Sequence, residues 1–277
     1  MLISLFSQSL AAMIAGESLV LLFVMTRLYD GASAFSVILL FLFGSLISFI
    51  GANLYAVALH HRLLLLLYSL QKPKDFIRLY EPLLRKHFLP SNVRFTLCAY
   101  LSNGYAAMGD FKHAYTLLEQ SPSVGRLHAA ERDRLLCGNR ISLALAQGDF
   151  IQAHTLCDAL ERSIQQGRLS KKKRKNQLAL LRTLRVQTAA IRGTCTHEDC
   201  VFLCQQAKKA RSALKRTELS YAAGLAYLAL NDAGNARPYL VLAAQSKQDM
   251  HYGMLAAKAL SSLSINSPSA SKKKKQC

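Results

Sequence analysis

From Ser33 to Leu59 the chain carries no charged residue. The run SAFSVILLFLFGSLISFIGANLYAVAL is long enough to cross a bilayer as one helix, with some tilt. This stretch constrains everything around it. The residues before it are few and mostly apolar; those after it are polar, helical in their periodicity and strongly basic. The sequence therefore predicts an all-α protein. It has a membrane anchor over 1–70, an amphipathic connecting helix over 71–91, a helical domain over 92–265 and a basic tail over 266–277 too polar to fold.

Residues 1–25 are also apolar, interrupted by Gln8 and Glu17, and no basic residue precedes Arg27. That argues against a cleaved secretory signal and for a first span over about 5–26. Joined to the second span, 33–59, by the turn RLYDGA, it makes a transmembrane helical hairpin. Glu17 falls in mid-helix, where a carboxylate is costly in lipid, so it is expected to face the second helix, another subunit or water. Asn53 is a candidate partner, at a poorly matched depth. Gly44, Ser48 and Ala52 recur every four residues and suit close helix packing. His60, His61, Arg62, Lys72 and Lys74 flank the second span, and basic flanks stay cytoplasmic. The N-terminus and the helical domain are therefore expected in the cytoplasm, at the inner membrane if the host is bacterial. Leu63 to Leu67 either extend the second helix as a stalk or lie on the membrane surface.

The net charge is +19, from 35 basic and 16 acidic residues. Such a surplus attracts anionic lipid, nucleic acid or an acidic protein without choosing among them. The seven cysteines are odd in number and several sit in apolar helical stretches. They read as free thiols in a reducing compartment.

Within the soluble part, Phe76, Leu79, Tyr80, Leu83 and Leu84 recur at helical spacing. They place an amphipathic helix over Lys72–His87, with Pro73 tolerated in its first turn and Pro82 a point of kinking. Pro90 then stops it, and Ser91-Asn92 reads as a new cap. The next block, NVRFTLCAYLSNGYAAMGDFKHAYTLLEQSP, is two helices split at Gly109-Asp110. Its marks are Ser102, Tyr105, Gly109-Asp110-Phe111, Ala114 and Leu118. The pattern returns with Ile141, Ala144, Gly148-Asp149-Phe150, Ala153, Cys157 and Leu160. It returns again with Gly224, Tyr227, Asn231-Asp232, Ala236, Leu240 and Ala243. Asn231 tolerates the left-handed turn almost as glycine does, and Pro238 reads as part of a first turn. Between the second and third copies lies a less regular pair, Asn176–Arg192 and about Glu198–Lys215. A last helix, about Met250–Ser262, caps the array.

These residues resemble the tetratricopeptide repeat family, whose unit of about 34 residues is a pair of antiparallel helices. The resemblance covers roughly 92–262. It implies a right-handed α-solenoid and a concave groove, lined by first helices, that holds a peptide or a partner helix. By that analogy the groove positions are Thr96, Ala99, Asn103 and Ala106, then Gly138, Ser142 and Leu145, then Tyr221, Leu225 and Leu228. Asn103 matches the asparagine of the family's carboxylate clamp, but Ala99 stands where the clamp has lysine. The groove is otherwise apolar, suited to a hydrophobic segment or to this chain's own 72–87 helix.

The strongest surface feature is the acid-free run of Arg168, Lys171, Lys172, Lys173, Arg174 and Lys175, continued by Arg182 and Arg185. Lys272 to Lys275 form a second cluster. A solvated linker and an anionic-lipid contact both fit the run. No nucleic-acid motif or interleaved aromatic supports nucleic acid as the partner. Cys195, His197, Cys200 and Cys204 are four soft metal ligands in ten residues, but their spacing matches no common zinc pattern. Thr196 or Asp199 starting a helix, with Cys204 in the core, accounts for them without a metal. No nucleophile, acid–base or phosphate-loop signature is present, so neither enzyme activity nor a cofactor is expected. The expected role is a membrane-tethered adaptor that binds another membrane-associated protein. The alternatives are a structural subunit of a larger membrane complex, or a basic-surface binder of anionic lipid or nucleic acid.

Overall fold

The computed structural model describes residues 2–29, 31, 33–85, 90–122, 129–247 and 249–266. It is all-helical, with twelve helices and no strand among the described residues. The chain divides into two compact units, Met1–Leu65 with Arg78–Lys86, and Leu66–Ile77 with His87–Cys277.

In the first unit, α1 spans Leu2–Tyr29 and α2 spans Ala34–Tyr68. The leucine run after Arg62 continues α2. Phe41–Tyr68 of α2 is long and apolar enough to cross a membrane, and its side chains are largely exposed up to Arg62, with Leu63 and Leu67 buried beyond it. α2 as a whole begins beside the expected start of the 33–59 span and runs on past Leu59 through His60, His61 and Arg62. Glu17 accepts a hydrogen bond from Ser45 Oγ at 2.9 Å; the Asn53 side chain lies outside the described residues. Small residues let α1 and α2 approach. A Cβ on Gly44 would sit 2.6 Å from Val20, and one on Gly16 would sit 2.6 Å from Ser48 Oγ. Helix α3, Pro73–Leu84, holds Pro73 at its start and Pro82 near its end, where neither breaks it. Tyr80 is fully buried and pairs with His60 Nδ1 at 3.2 Å.

The second unit contains α4 (Ser91–Met108), α5 (Phe111–Glu119), α6 (Ala129–Gln147), α7 (Phe150–Gln166), α8 (Lys171–Arg192), α9 (His197–Lys209), α10 (Ala213–Ala229), α11 (Ala233–Ala244) and α12 (His251–Asn266). Sequential helices pack on one another in a repeat-like topology. The alternate helices α4, α6, α8, α10 and α12 touch in that order, and α12 returns to touch α4. Pro90, rather than a Ser91 or Asn92 side chain, stands at the start of α4.

One turn recurs four times. Gly109, Gly148, Gly193 and Asn231 have φ of 85°, 78°, 80° and 58°, the left-handed region that glycine and asparagine enter at least cost. The next residue's N–H reaches back to the carbonyl of Tyr105, Ala144, Ala189 or Tyr227. This closes the preceding helix as a Schellman motif. Asp110, Asp149 and Asp232 then cap the following helix by accepting from His113, Gln152 and Asn235 N–H. In the remaining copy Thr196 and Asp199 form a reciprocal capping box. Four residues past each cap stand Ala114, Ala153, Cys200 and Ala236, all fully buried, and four further on come the buried Leu118, Cys157, Cys204 and Leu240.

Three expectations need correction. The basic run is not a linker: Ser170 caps α8, which begins at Lys171, ahead of the expected Asn176. Helix α9 stops at Lys209, not Lys215, because Ser212 caps a new helix by accepting from Lys215 N–H. Pro238 lies past the first turn of α11. Lacking an N–H, it leaves the Gly234 carbonyl without its helical donor, yet the helix persists on its packing.

The caps are directly testable. Asp110→Ala and Asp149→Ala should each lower stability by about 1 kcal/mol, read from denaturant midpoints. Asp232 adds a pH signature. Hydrogen bonds from the Asn235 side chain, then from its backbone N–H, hold this carboxyl below its usual pKa. Its folded-state pKa being lowered, the stabilisation is complete above the ordinary carboxylate range and disappears as pH falls through the folded value. The stability gap between the native chain and Asp232→Ala should therefore close in acid, below about pH 4.

Candidate functional site

The alternate helices α4, α6 and α10 of the second unit share one face, its inner surface. Asn103 and Ala106 on α4, Ser142 on α6 and Glu218 on α10 line one cavity of about 190 Å³, with Tyr68 and Tyr252. Three of the groove residues expected from sequence, Asn103, Ala106 and Ser142, are thus brought together. Leu145 is not among them: at 3% exposure it lies in the core beside Ile141 and Cys157. Ala99 is buried as well, while Thr96 is exposed. Tyr221, Leu225 and Leu228 are half-buried. Tyr221 and Leu228 pack on the core around α10, and the Tyr221 ring lies 5.6 Å from Tyr252.

The inner surface is already covered by Leu66–Ile77 of the same chain. Tyr68 accepts a hydrogen bond from Asn103 Nδ2 at 3.1 Å and meets Tyr100 edge-on. Gln71, at a φ of 52°, donates to Thr217 Oγ1 at 2.7 Å. Lys74 pairs with Asp249 at 2.7 Å. Phe76 is fully buried and Ile77 nearly so. They lie so close to α4 that a Cβ on Gly104 would sit 2.9 Å from the Phe76 ring and 3.2 Å from Ile77. One short segment therefore bridges α4 to α10 and to the loop before α12. The end of the array is closed by His251, whose ring lies 5.0 Å from Phe111 and whose Nε2 donates to the Ala146 carbonyl at 2.9 Å.

The polar centre of the cavity is Glu218. It accepts from Gln187 Nε2 at 2.8 Å and from Lys215 Nζ. Tyr252 is half-buried near it, and desolvation first, with the Glu218 and Tyr221 charges second, pushes its phenol well above the usual value. At neutral pH it is therefore an un-ionised phenol and not a base. Among the described residues no nucleophile is paired with a base here, and no three His, Cys, Asp or Glu side chains gather as a metal site.

Cys195, Cys200 and Cys204 are buried in the core around α10. Burial, with smaller contributions from Asp199 and Cys200, pushes the Cys195 thiol up to about 12; burial likewise takes Cys157 up to about 11. Thiolates are the reactive form, so these two should resist alkylation at pH 8 in the native chain. They should react only once denaturant opens the repeats, as followed by mass spectrometry.

The basic residues Arg168, Lys171, Lys172, Lys173, Arg174 and Lys175 are all exposed. Lys173 pairs with Glu131 at 3.1 Å. Further along α8, Arg185 bridges Asp158 and Glu161, at 2.9 and 2.6 Å. Lys272 to Lys275 lie outside the described residues.

No protein-family model, curated protein or solved structure matches this chain. Its own surfaces are therefore the guide to its function.

The capping helix expected near Met250–Ser262 is α12, but sequence reasoning missed the role of Cys200 and the return of α12 to α4. The first had a signal: Thr196-x-x-Asp199 is a capping box, and Cys200 stands where each other copy has its buried alanine. The second had none, because the His251 contact joins residues distant in sequence.

Proposed function

We propose that the chain is a membrane-tethered adaptor whose helical repeats, of tetratricopeptide type and wound as a right-handed solenoid, bind another membrane-associated protein. The anchor is a helical hairpin of two spans, with the N-terminus and the repeats on the cytoplasmic side. The observation that carries this reading is the fourfold turn, each copy closed by a left-handed residue, recapped, and followed four residues on by a fully buried small side chain. Such arrays present broad surfaces without a catalytic centre. Because Leu66–Ile77 covers the inner surface, a partner reaches Asn103, Ser142 and Glu218 only by displacing that segment. Otherwise it docks on the outer helices.

The test is a mild-detergent pull-down of the full-length chain from native membranes, read by mass spectrometry, beside a chain carrying bulky replacements at Ala114, Ala153 and Ala236. One protein enriched in near-equal amount and lost with the altered repeats supports the adaptor. Recovery of lipid or RNA with no protein sinks it. The covered inner surface and the contact of α12 with α4 favour a second reading, a permanent subunit of a larger membrane complex. That reading requires the partner to stay bound through high-salt washing and the chain to be unstable without it.

A further inference from the structure

Lys171 to Leu180, the first part of α8, contains no buried side chain; Leu181 is the first to reach the core. About 15 Å of helix is thus packed only lightly, with no fully buried side chain. A helical piece this short is marginal without packing, and its charges oppose it further. Lys171, Lys172, Lys173 and Arg174 fill the first turn with no acid among them, where the aligned peptide dipoles already present positive charge. Among the described residues only Lys173 of this run has a carboxylate, Glu131. Arg174 donates to the Gly167 carbonyl at 3.3 Å, which leaves its charge uncompensated. Folding alone gives no reason for this arrangement; an external anion does.

Leucines interleave with the cations. Leu169 and Leu178 share a shallow surface groove with Lys171, Arg174 and Lys175, and Leu178 and Leu180 are 43% and 41% exposed. We propose that this exposed basic start of α8 is a binding site for anionic phospholipid at a bilayer surface. The cations neutralise phosphate and carboxylate headgroups, while the leucines enter the boundary between headgroups and acyl chains. Single-stranded nucleic acid calls for flat aromatic faces as well as cations. The run from Arg168 to Arg182 has no aromatic residue, and the Phe202 ring is covered by the Arg182 guanidinium at 4.5 Å. The proposal draws on the membrane anchor only for proximity: a tethered chain meets lipid at high effective concentration.

The experiment places the full-length chain in nanodiscs of pure phosphatidylcholine, or of phosphatidylcholine with about a third phosphatidylserine, and measures acylation of each lysine by mass spectrometry. Lys171, Lys172 and Lys175 should be protected severalfold in the anionic discs, with protection lost in half-molar salt. Lys208 and Lys209 serve as internal references. Flotation with vesicles of the same two compositions should show binding that weakens about fivefold for each of Lys171→Gln, Lys172→Gln and Lys175→Gln. Equal acylation in both discs, or protection by added single-stranded RNA or an acidic peptide but not by lipid, overturns the proposal. Failure to enter discs of either composition overturns the anchor reading instead, and the flotation series still decides this one.

Discussion

Ala236→Leu is expected to lower the stability of the repeat unit by about 3 kcal/mol or more, the cost of overpacking a filled core. Ala236 is fully buried in one cluster with Ala223, Ala226 and Leu240. The spacing of α10 and α11 has no slack: a single Cβ on Gly224 would come 2.5 Å from Leu240. Three extra carbons at Ala236 cannot be absorbed without driving the two helices apart. Ala233→Leu, on the exposed side of the same helix, is the control and should change stability by no more than about 0.5 kcal/mol. Ala114→Leu and Ala153→Leu should behave like Ala236→Leu. Cys200 extends the series. If it fills the same slot, Cys200→Ala is mild and Cys200→Leu is severe. Urea titration of the full-length chain in mild detergent measures all of these. An unchanged midpoint for Ala236→Leu would mean that the pair is not packed as described.

The same residues explain what can be read from the sequence. The turns are legible because their chemistry is local. A left-handed position selects glycine or asparagine, the next residue must cap, and the fourth residue beyond must be small. Those requirements occupy a few consecutive positions, and Gly109-Asp110…Ala114 shows them all. The copy at Gly193 is harder to see, because Thr194 and Cys195 separate the turn from the cap and a cysteine fills the alanine slot. Its four soft ligands then suggest metal, whereas Cys195, Cys200 and Cys204 lie in the core and His197 is exposed. The start of α8 is hidden for a different reason. Five basic residues at a helix start oppose the helix dipole, so charge patterning argues for a linker there, and only the Ser170 cap argues otherwise. Leu145 falls in the groove by analogy alone. The burial of a first-helix residue depends on the crossing of its own pair, which a one-dimensional pattern does not carry. The covering of the inner surface by Leu66–Ile77 has no local signature. It joins Tyr68 to Asn103 and Gln71 to Thr217, and only Gly104, otherwise a poor residue for mid-helix, hints that something approaches α4 closely.

That glycine gives the sharpest test of the covering segment. Phe76→Ala removes a fully buried ring and should cost about 3–5 kcal/mol. For a unit of this size that is a fall in Tm of roughly 10 °C. Gly104→Ala should also destabilise the native chain, even though alanine is worth about 1 kcal/mol more than glycine inside a helix. The new Cβ would meet the Phe76 ring at 2.9 Å and Ile77 at 3.2 Å, and a buried ring has little room to retreat. In the Phe76→Ala background the clash with the ring is gone and the propensity gain remains. Gly104→Ala should there become neutral or stabilising, a change of sign that a merely weakened helix would not produce. Contacting residues are where such non-additivity belongs. If Gly104→Ala has the same effect in both backgrounds, Phe76 does not lie on α4, and the inner surface is open to a partner after all.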